Sequence, residues 1–193
     1  MAGFAGDRKV RRPTERLIAL EGVNGGALTS AARTVAAANR AQRPNISAWD
    51  ASGIFGEVTL ANVGAGDPSA RTLLLLYAAD LAFRVRWDVT PALAAGRLVI
   101  VAPYIDTAIA FGRAAGLDES WLSDMFHFAP LAATTQHVTA AAAHTVAERT
   151  GFVEFGNRMV LGEHAGEARL TLMKRTRANL TAQLESRAGQ GTL

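Results

Sequence analysis

Cysteine is absent from the 193 residues, which excludes a disulfide framework, a thiolate metal site and a cysteine nucleophile. No apolar run approaches the roughly 20 residues that crossing a bilayer requires. Met1–Pro13 also lacks the apolar centre of a secretory leader. A cytoplasmic location with no membrane partner is therefore expected. The histidines, His127, His137, His144 and His164, are scattered, and no carboxylate or cysteine set accompanies them at ligand spacing, so no metal is expected. Neither an H-E-x-x-H motif nor a Ser-His-Asp order is present. Lysine is scarce, and arginine supplies most of the basic charge behind the net +3. That charge gathers at the ends: Arg8, Lys9, Arg11 and Arg12 in front, Arg169, Lys174, Arg175, Arg177 and Arg187 behind. Aromatic residues do not interleave there to stack on bases. Both ends are read as solvated, and nucleic acid is not expected as a partner.

What is present is a chain of one domain's length, 49% hydrophobic, with enough apolar residues for a substantial core. Residues 1–14 read as a flexible basic lead, 15–187 as the domain and 188–193 as a tail. An apolar run, Leu17 to Leu20, suits a buried strand, and a glycine-bearing turn (Gly22, Gly25, Gly26) precedes a helix expected to begin at Thr29 or Ser30. Asn45–Trp49 reads as a second strand and Ile54–Val63 as a short helix. A long helix runs from Ser69 to about Ala95, too apolar for a single buried stripe. Leu98–Val101 is a continuous apolar run, as in a parallel strand buried on both faces. Helices follow at about Thr107–Ala115 and Glu119–His127, then a strand at Thr134–Thr139 and a helix at Ala140–Arg149. Gly151–Leu161 is ambiguous, with Arg158–Leu161 as a candidate last strand, and Ala168–Ser186 is a basic-faced terminal helix. Strands alternating with helices predict an α/β fold, a three-layer α/β/α sandwich with a mainly parallel sheet.

Strand, glycine-rich turn and helix is the layout of a phosphate-binding loop, G-x-x-x-x-G-K-[ST]. On that template Gly22 fits the first glycine and Thr29 the magnesium-binding hydroxyl. Ala27 stands at the second glycine and Leu28 at the lysine. The remnant is Gly22, Asn24, Gly25, Gly26, Ala27, Leu28, Thr29 and Ser30. Thr29 and Ser30 read first as ordinary helix-capping residues and second as contacts for a lone anion.

The wording around the turn, ALEGVNGGALTSAAR, resembles the EG(I/L)DG.GKST opening of the thymidylate kinases. Residues 73–111, LLLLYAADLAFRVRWDVTPALAAGRLVIVAPYIDTAIAF, are similar to that family's LLLFAADRAQH, PAL..G and VI.DRYVDSS..Y segments. The resemblance covers about the first two-thirds of the chain and implies a P-loop nucleotide kinase-like fold and a homodimer. A monomer with a deeply central long helix is the other possibility. By the same resemblance the DR(Y/H) aspartate and arginine fall on Ala102 and Pro103, and the phosphate-holding arginine after AAD falls on Leu81. The arginine of the (R)EPGG segment is lost near Ala48–Gly53, leaving Asp50 and Asp80 as nearby carboxylates. The lid expected after Thr134–Thr139 holds one arginine, Arg149. Positions suited to a nucleoside are better kept: Tyr77 and Phe111 match the family's aromatic pair, and Asp106 and Thr107 follow Tyr104 as its polar pair. Those aromatics also fit a plain core, and Gly112 replaces the family's glutamine.

Phosphoryl transfer rests on positive charge set against the transferring oxygens. Losing one such contact costs about 10²–10³ in rate, and four or five are missing. The expectation is a catalytically degenerate thymidylate kinase-like protein, without a cofactor, acting through an unidentified protein partner or a weakly held nucleoside or nucleotide. The alternative is an active dTMP or other nucleoside monophosphate kinase with a rewired site, using ATP and Mg²⁺.

Overall fold

The computed structural model describes residues 13–49, 52–53, 69–139 and 165–190, the last helix with side chains at 174–187. The expected helices at Ile54–Val63 and Ala140–Arg149, the ambiguous Gly151–Leu161, Asp50 and the lid arginine lie outside these residues. So does the basic lead, apart from its last two positions.

Four parallel strands form one sheet in the order β2-β3-β1-β4: β1 Thr14–Glu21, β2 Asn45–Ala48, β3 Val99–Ala102 and β4 Ala132–His137. The helices are α1 Gly25–Ala38, α2 Ala70–Arg84, α3 Thr90–Ala94, α4 Ile105–Ala114, α5 Glu119–Met125 and α6 Ala165–Gln190. All four β3 residues are buried. Since successive side chains point to opposite faces, helices must cover both faces, and the three-layer α/β/α arrangement follows. β3 pairs with β1 through Ile18 and Ile100, and β1 pairs with β4 through Ala19 and Thr135.

The long helix expected from Ser69 is continuous to Ala94, with Ser69 capping Thr72 N–H. It contains one wide π-turn at Val85–Val89, where Thr90 N–H reaches Val85 O. The cause is Pro91, which has no N–H and whose ring crowds the carbonyl of the preceding turn. Widening that turn relieves both problems.

Two glycines permit close approach. A Cβ on Gly22 would lie 2.6 Å from Val138 O, and one on Gly112 would lie 2.4 Å from a Leu122 methyl carbon. Gly112, at the family's glutamine position, therefore lets α5 dock against α4. The chain diverges from the expected helix start: α1 begins at Gly25, four residues before Thr29. Gly25 and Gly26 are its first helical residues and do not belong to an open turn.

Candidate functional site

In a parallel α/β sheet, ligands gather outside the carboxyl ends of the strands. The first such end here is the turn from β1 to α1. Gly22 N–H donates to Thr107 Oγ1 at 3.0 Å, and Val138 N–H donates to Glu21 O at 2.8 Å. Only Gly22, Val23 and Asn24 separate strand from helix. Asn24 is the cap: its side-chain oxygen accepts Ala27 N–H at 2.9 Å and its carbonyl accepts Leu28 N–H at 3.0 Å. These are donors that a phosphate cradle would hold out to its ligand. Leu28, at the lysine position, is 2% exposed and belongs to the core. Thr29 and Ser30 are exposed. Capping is thus done by Asn24 and by neither hydroxyl residue.

The second end is the turn from β3 to α4, through Pro103 and Tyr104. Glu21, the last residue of β1, is 1% exposed and sends its carboxylate into this turn. It accepts N–H groups from Tyr104 at 3.2 Å and from Asp106 and Thr107 at 3.0 Å each, and the Thr107 hydroxyl at 2.5 Å. Burial and the charge of Asp106 raise the Glu21 carboxyl to about 7, while these hydrogen bonds pull it down. Asp106 is tied in turn to α6, accepting from Gln183 Nε2 at 2.7 Å and from Arg187.

A third cluster lies between these turns and the loop after β2. Arg84 is completely buried and pairs through Nε with Asp80 at 2.8 Å, one helical turn back. Its other nitrogens reach Pro103 O at 3.3 Å and the Tyr77 hydroxyl at 3.4 Å. Asp80 also accepts from the Ser52 backbone and hydroxyl. The Tyr77 hydroxyl donates to Tyr104 O at 2.7 Å, and its ring stacks on Trp49 and meets Phe126 edge-on. Burial pushes the Tyr77 phenol well above its usual range.

The five nucleoside-position residues are therefore all buried, and Tyr77, Tyr104, Asp106 and Thr107 meet around one turn. Phe111 lies two helical turns from it by sequence, in the core cluster with Tyr77. Ala102 ends β3, Pro103 supplies a carbonyl to Arg84, and Leu81 is core. Among the described residues no group of three His, Asp or Glu is disposed to hold a metal, and no helix is long and apolar enough to cross a membrane. His137 is half-buried, and burial followed by the charge of Arg177 lowers its pKa.

Sequence reasoning missed Glu21 and Arg84. Glu21 opens the EGVNGG stretch, but its partners lie more than 80 residues away, so the local wording does not show what it holds. Arg84 stands one helical turn beyond the lost arginine position at Leu81, and that offset was the available signal.

No family model matches the chain. Over 56 residues it is 43% identical to a protein described as a probable thymidylate kinase of Pyrococcus horikoshii, a match spanning 29% of this chain and 27% of that one. The matched stretch is thus little more than a quarter of the relative's length. Over most of its length the chain is similar to the crystal structure of thymidylate kinase from Ehrlichia chaffeensis. That likeness has a TM-score of 0.62 at 15% identity and covers 91% of this chain and 90% of the other. The fold is that of a thymidylate kinase-like protein.

Proposed function

We propose that this chain is a thymidylate kinase-like protein that has given up efficient ATP-dependent phosphoryl transfer and acts as a binding or regulatory partner. The observation that carries the reading is the closed turn at Asn24: its side chain takes the Ala27 N–H while Leu28 turns into the core. A triphosphate with Mg²⁺ needs a cationic, donor-rich cradle, and the residues at this turn do not fit one. Ala102 and Pro103 add no charge, and Glu21 fills the α4 N-terminus with the chain's own carboxyl group. A nucleoside at Tyr77 and Phe111 would require rearrangement of a packed core.

The reading includes a homodimer. Leu75, Ala79, Ala82, Phe83 and Trp87 are exposed at helical spacing, with Leu75 at 52% and Trp87 at 60%. An apolar stripe of this kind marks a contact surface, and a two-fold pairing of the same face would cover it. Sedimentation should give a dimer that Leu75→Glu with Phe83→Glu converts to a folded monomer.

Calorimetry with ATP and Mg²⁺ is the principal test, paired with a coupled assay offering dTMP and dUMP. No heat of binding and no turnover are expected. Micromolar, Mg²⁺-dependent binding with turnover would establish instead the alternative, a working nucleoside monophosphate kinase. One observation favours that alternative: Arg84 brings a guanidinium beside Pro103, where the family's strand-end arginine falls. Its charge, however, is already matched by Asp80.

A further inference from the structure

Helices α4, α5 and α6 enclose a cleft of about 450 Å³, within the size range of small-molecule sites. Its lining includes Arg113 and Glu119 on one side and Gln183 and Arg187 on the other. Arg113 organises the polar part. Its Nη1 donates to Gln183 Oε1 at 3.1 Å, and Gln183 is itself fixed by donating to Asp106 at 2.7 Å. Its Nη2 donates to Glu119 Oε1. Its Nε is buried with no hydrogen-bond partner among the described residues.

Nε and Nη2 form the side-on fork of a guanidinium, whose geometry matches the two oxygens of one anion. Here one tine of the fork is taken and the other is orphaned. Buried orphan donors are rare in native proteins, and this one lies in the lining of a cleft. The group on the occupied tine is loosely held. Glu119 has a side chain 71% exposed, and exposed ion pairs of this kind are weak. Arg187, on the opposite wall, pairs through Nη1 with the buried Asp106 and keeps a side chain 56% exposed.

We propose that this cleft binds a small oxyanion, an organic phosphate or carboxylate, whose two oxygens span Nε and Nη2 of Arg113 once Glu119 swings aside. Glu119 then acts as an internal competitor for the fork, and Arg187, held by Asp106, places a second guanidinium in the cleft wall. The proposal does not depend on whether the chain is a kinase.

The test is a titration of the intact ¹⁵N-labelled protein, following the arginine Nε–Hε resonances. Inorganic phosphate and citrate serve as probes, and chloride at matched ionic strength is the control. The resonance missing in Arg113→Lys should shift and saturate with phosphate or citrate but not with chloride. Saturation by phosphate alone would assign organic phosphates to the cleft, and saturation by citrate alone would assign carboxylates. Glu119→Gln, on the surface, should tighten binding about tenfold by weakening the competitor. Arg113→Lys, which keeps the charge without the fork, should weaken it about tenfold. The proposal fails if the resonance stays still at millimolar probe, moves equally with chloride, or if Glu119→Gln binds no more tightly than the parent.

Discussion

The turns from β1 to α1 and from β3 to α4 stand on neighbouring strands and open toward the same end of the sheet. Both present the free N–H groups of a new helix, and each has them answered differently. At the first, the acceptor is neutral and local, Asn24 reaching three residues ahead. At the second it is a buried carboxylate carried in from another strand, Glu21 reaching 83 to 86 residues along the chain. The local cap fixes one helix end and nothing more. The long-range one locks β1, the Pro103–Tyr104 turn and α4 into a single unit. Through Asp106 it also fastens α6 to that unit. The fold's rigidity therefore sits at the second turn, and the first can be opened at small cost.

Removing the second lock should have the largest effect. Glu21→Ala leaves three N–H groups and a hydroxyl without an acceptor in a dry site. At about 1–3 kcal/mol for each orphan, partly relieved by relaxation, a loss of about 5 kcal/mol is expected in urea unfolding. Next comes the pair beside it. Arg84→Met removes the guanidinium that balances the buried Asp80 charge and should cost about 3–5 kcal/mol. Adding Asp80→Asn should recover most of that loss, because no unpaired charge then remains. If Glu21→Ala proved milder than Arg84→Met, the view that the β3–α4 turn is the stiffer region would be wrong.

The same carboxylate makes the comparison sensitive to pH. Its pKa rises from 4.5 when unperturbed to about 7 in the fold, so between those values the native state holds more protons than the unfolded one. Stability from this group is complete below about pH 4.5 and is lost as pH rises through about 7. His137, held below its usual pKa, works in the opposite direction, so the comparison must be made by difference. The stability of the parent minus that of Glu21→Gln should decline across that window and level off above it. A flat difference would mean that the turn's N–H groups stabilise the carboxylate fully against its burial.

How much of this could be read from the residues depends on whether the interaction was local. Leu98–Val101 declared a doubly buried strand because parallel strands need no polar face. Ser69 and the apolar run behind it declared the long helix, although Pro91 concealed the π-turn that absorbs it. The wording of residues 73–111 pointed to the fold. Gly25 and Gly26 misled, because glycine reads as a turn while a helix's first turn tolerates it when Asn24 supplies the cap. Glu21 and Arg84 were silent, since each takes its meaning from Pro103 and Tyr104, which only the sheet's crossover brings near.

The smallest expected effect belongs to the first turn. Asn24→Ala removes one half-buried cap and should cost about 1 kcal/mol, several-fold less than Glu21→Ala, as read by urea unfolding. It also frees the Ala27 N–H, the donor that the cap withholds from any anion. Calorimetry on this variant then separates two reasons for the turn's silence toward phosphate. If the cap alone kept anions out, Asn24→Ala would gain affinity for ATP with Mg²⁺. With Leu28 in the core at the lysine position, one freed N–H is too little positive potential to offset the desolvation of a triphosphate. The expected outcome is a slightly less stable protein that still ignores the nucleotide, which would locate the loss in the missing charge and not in the closed shape.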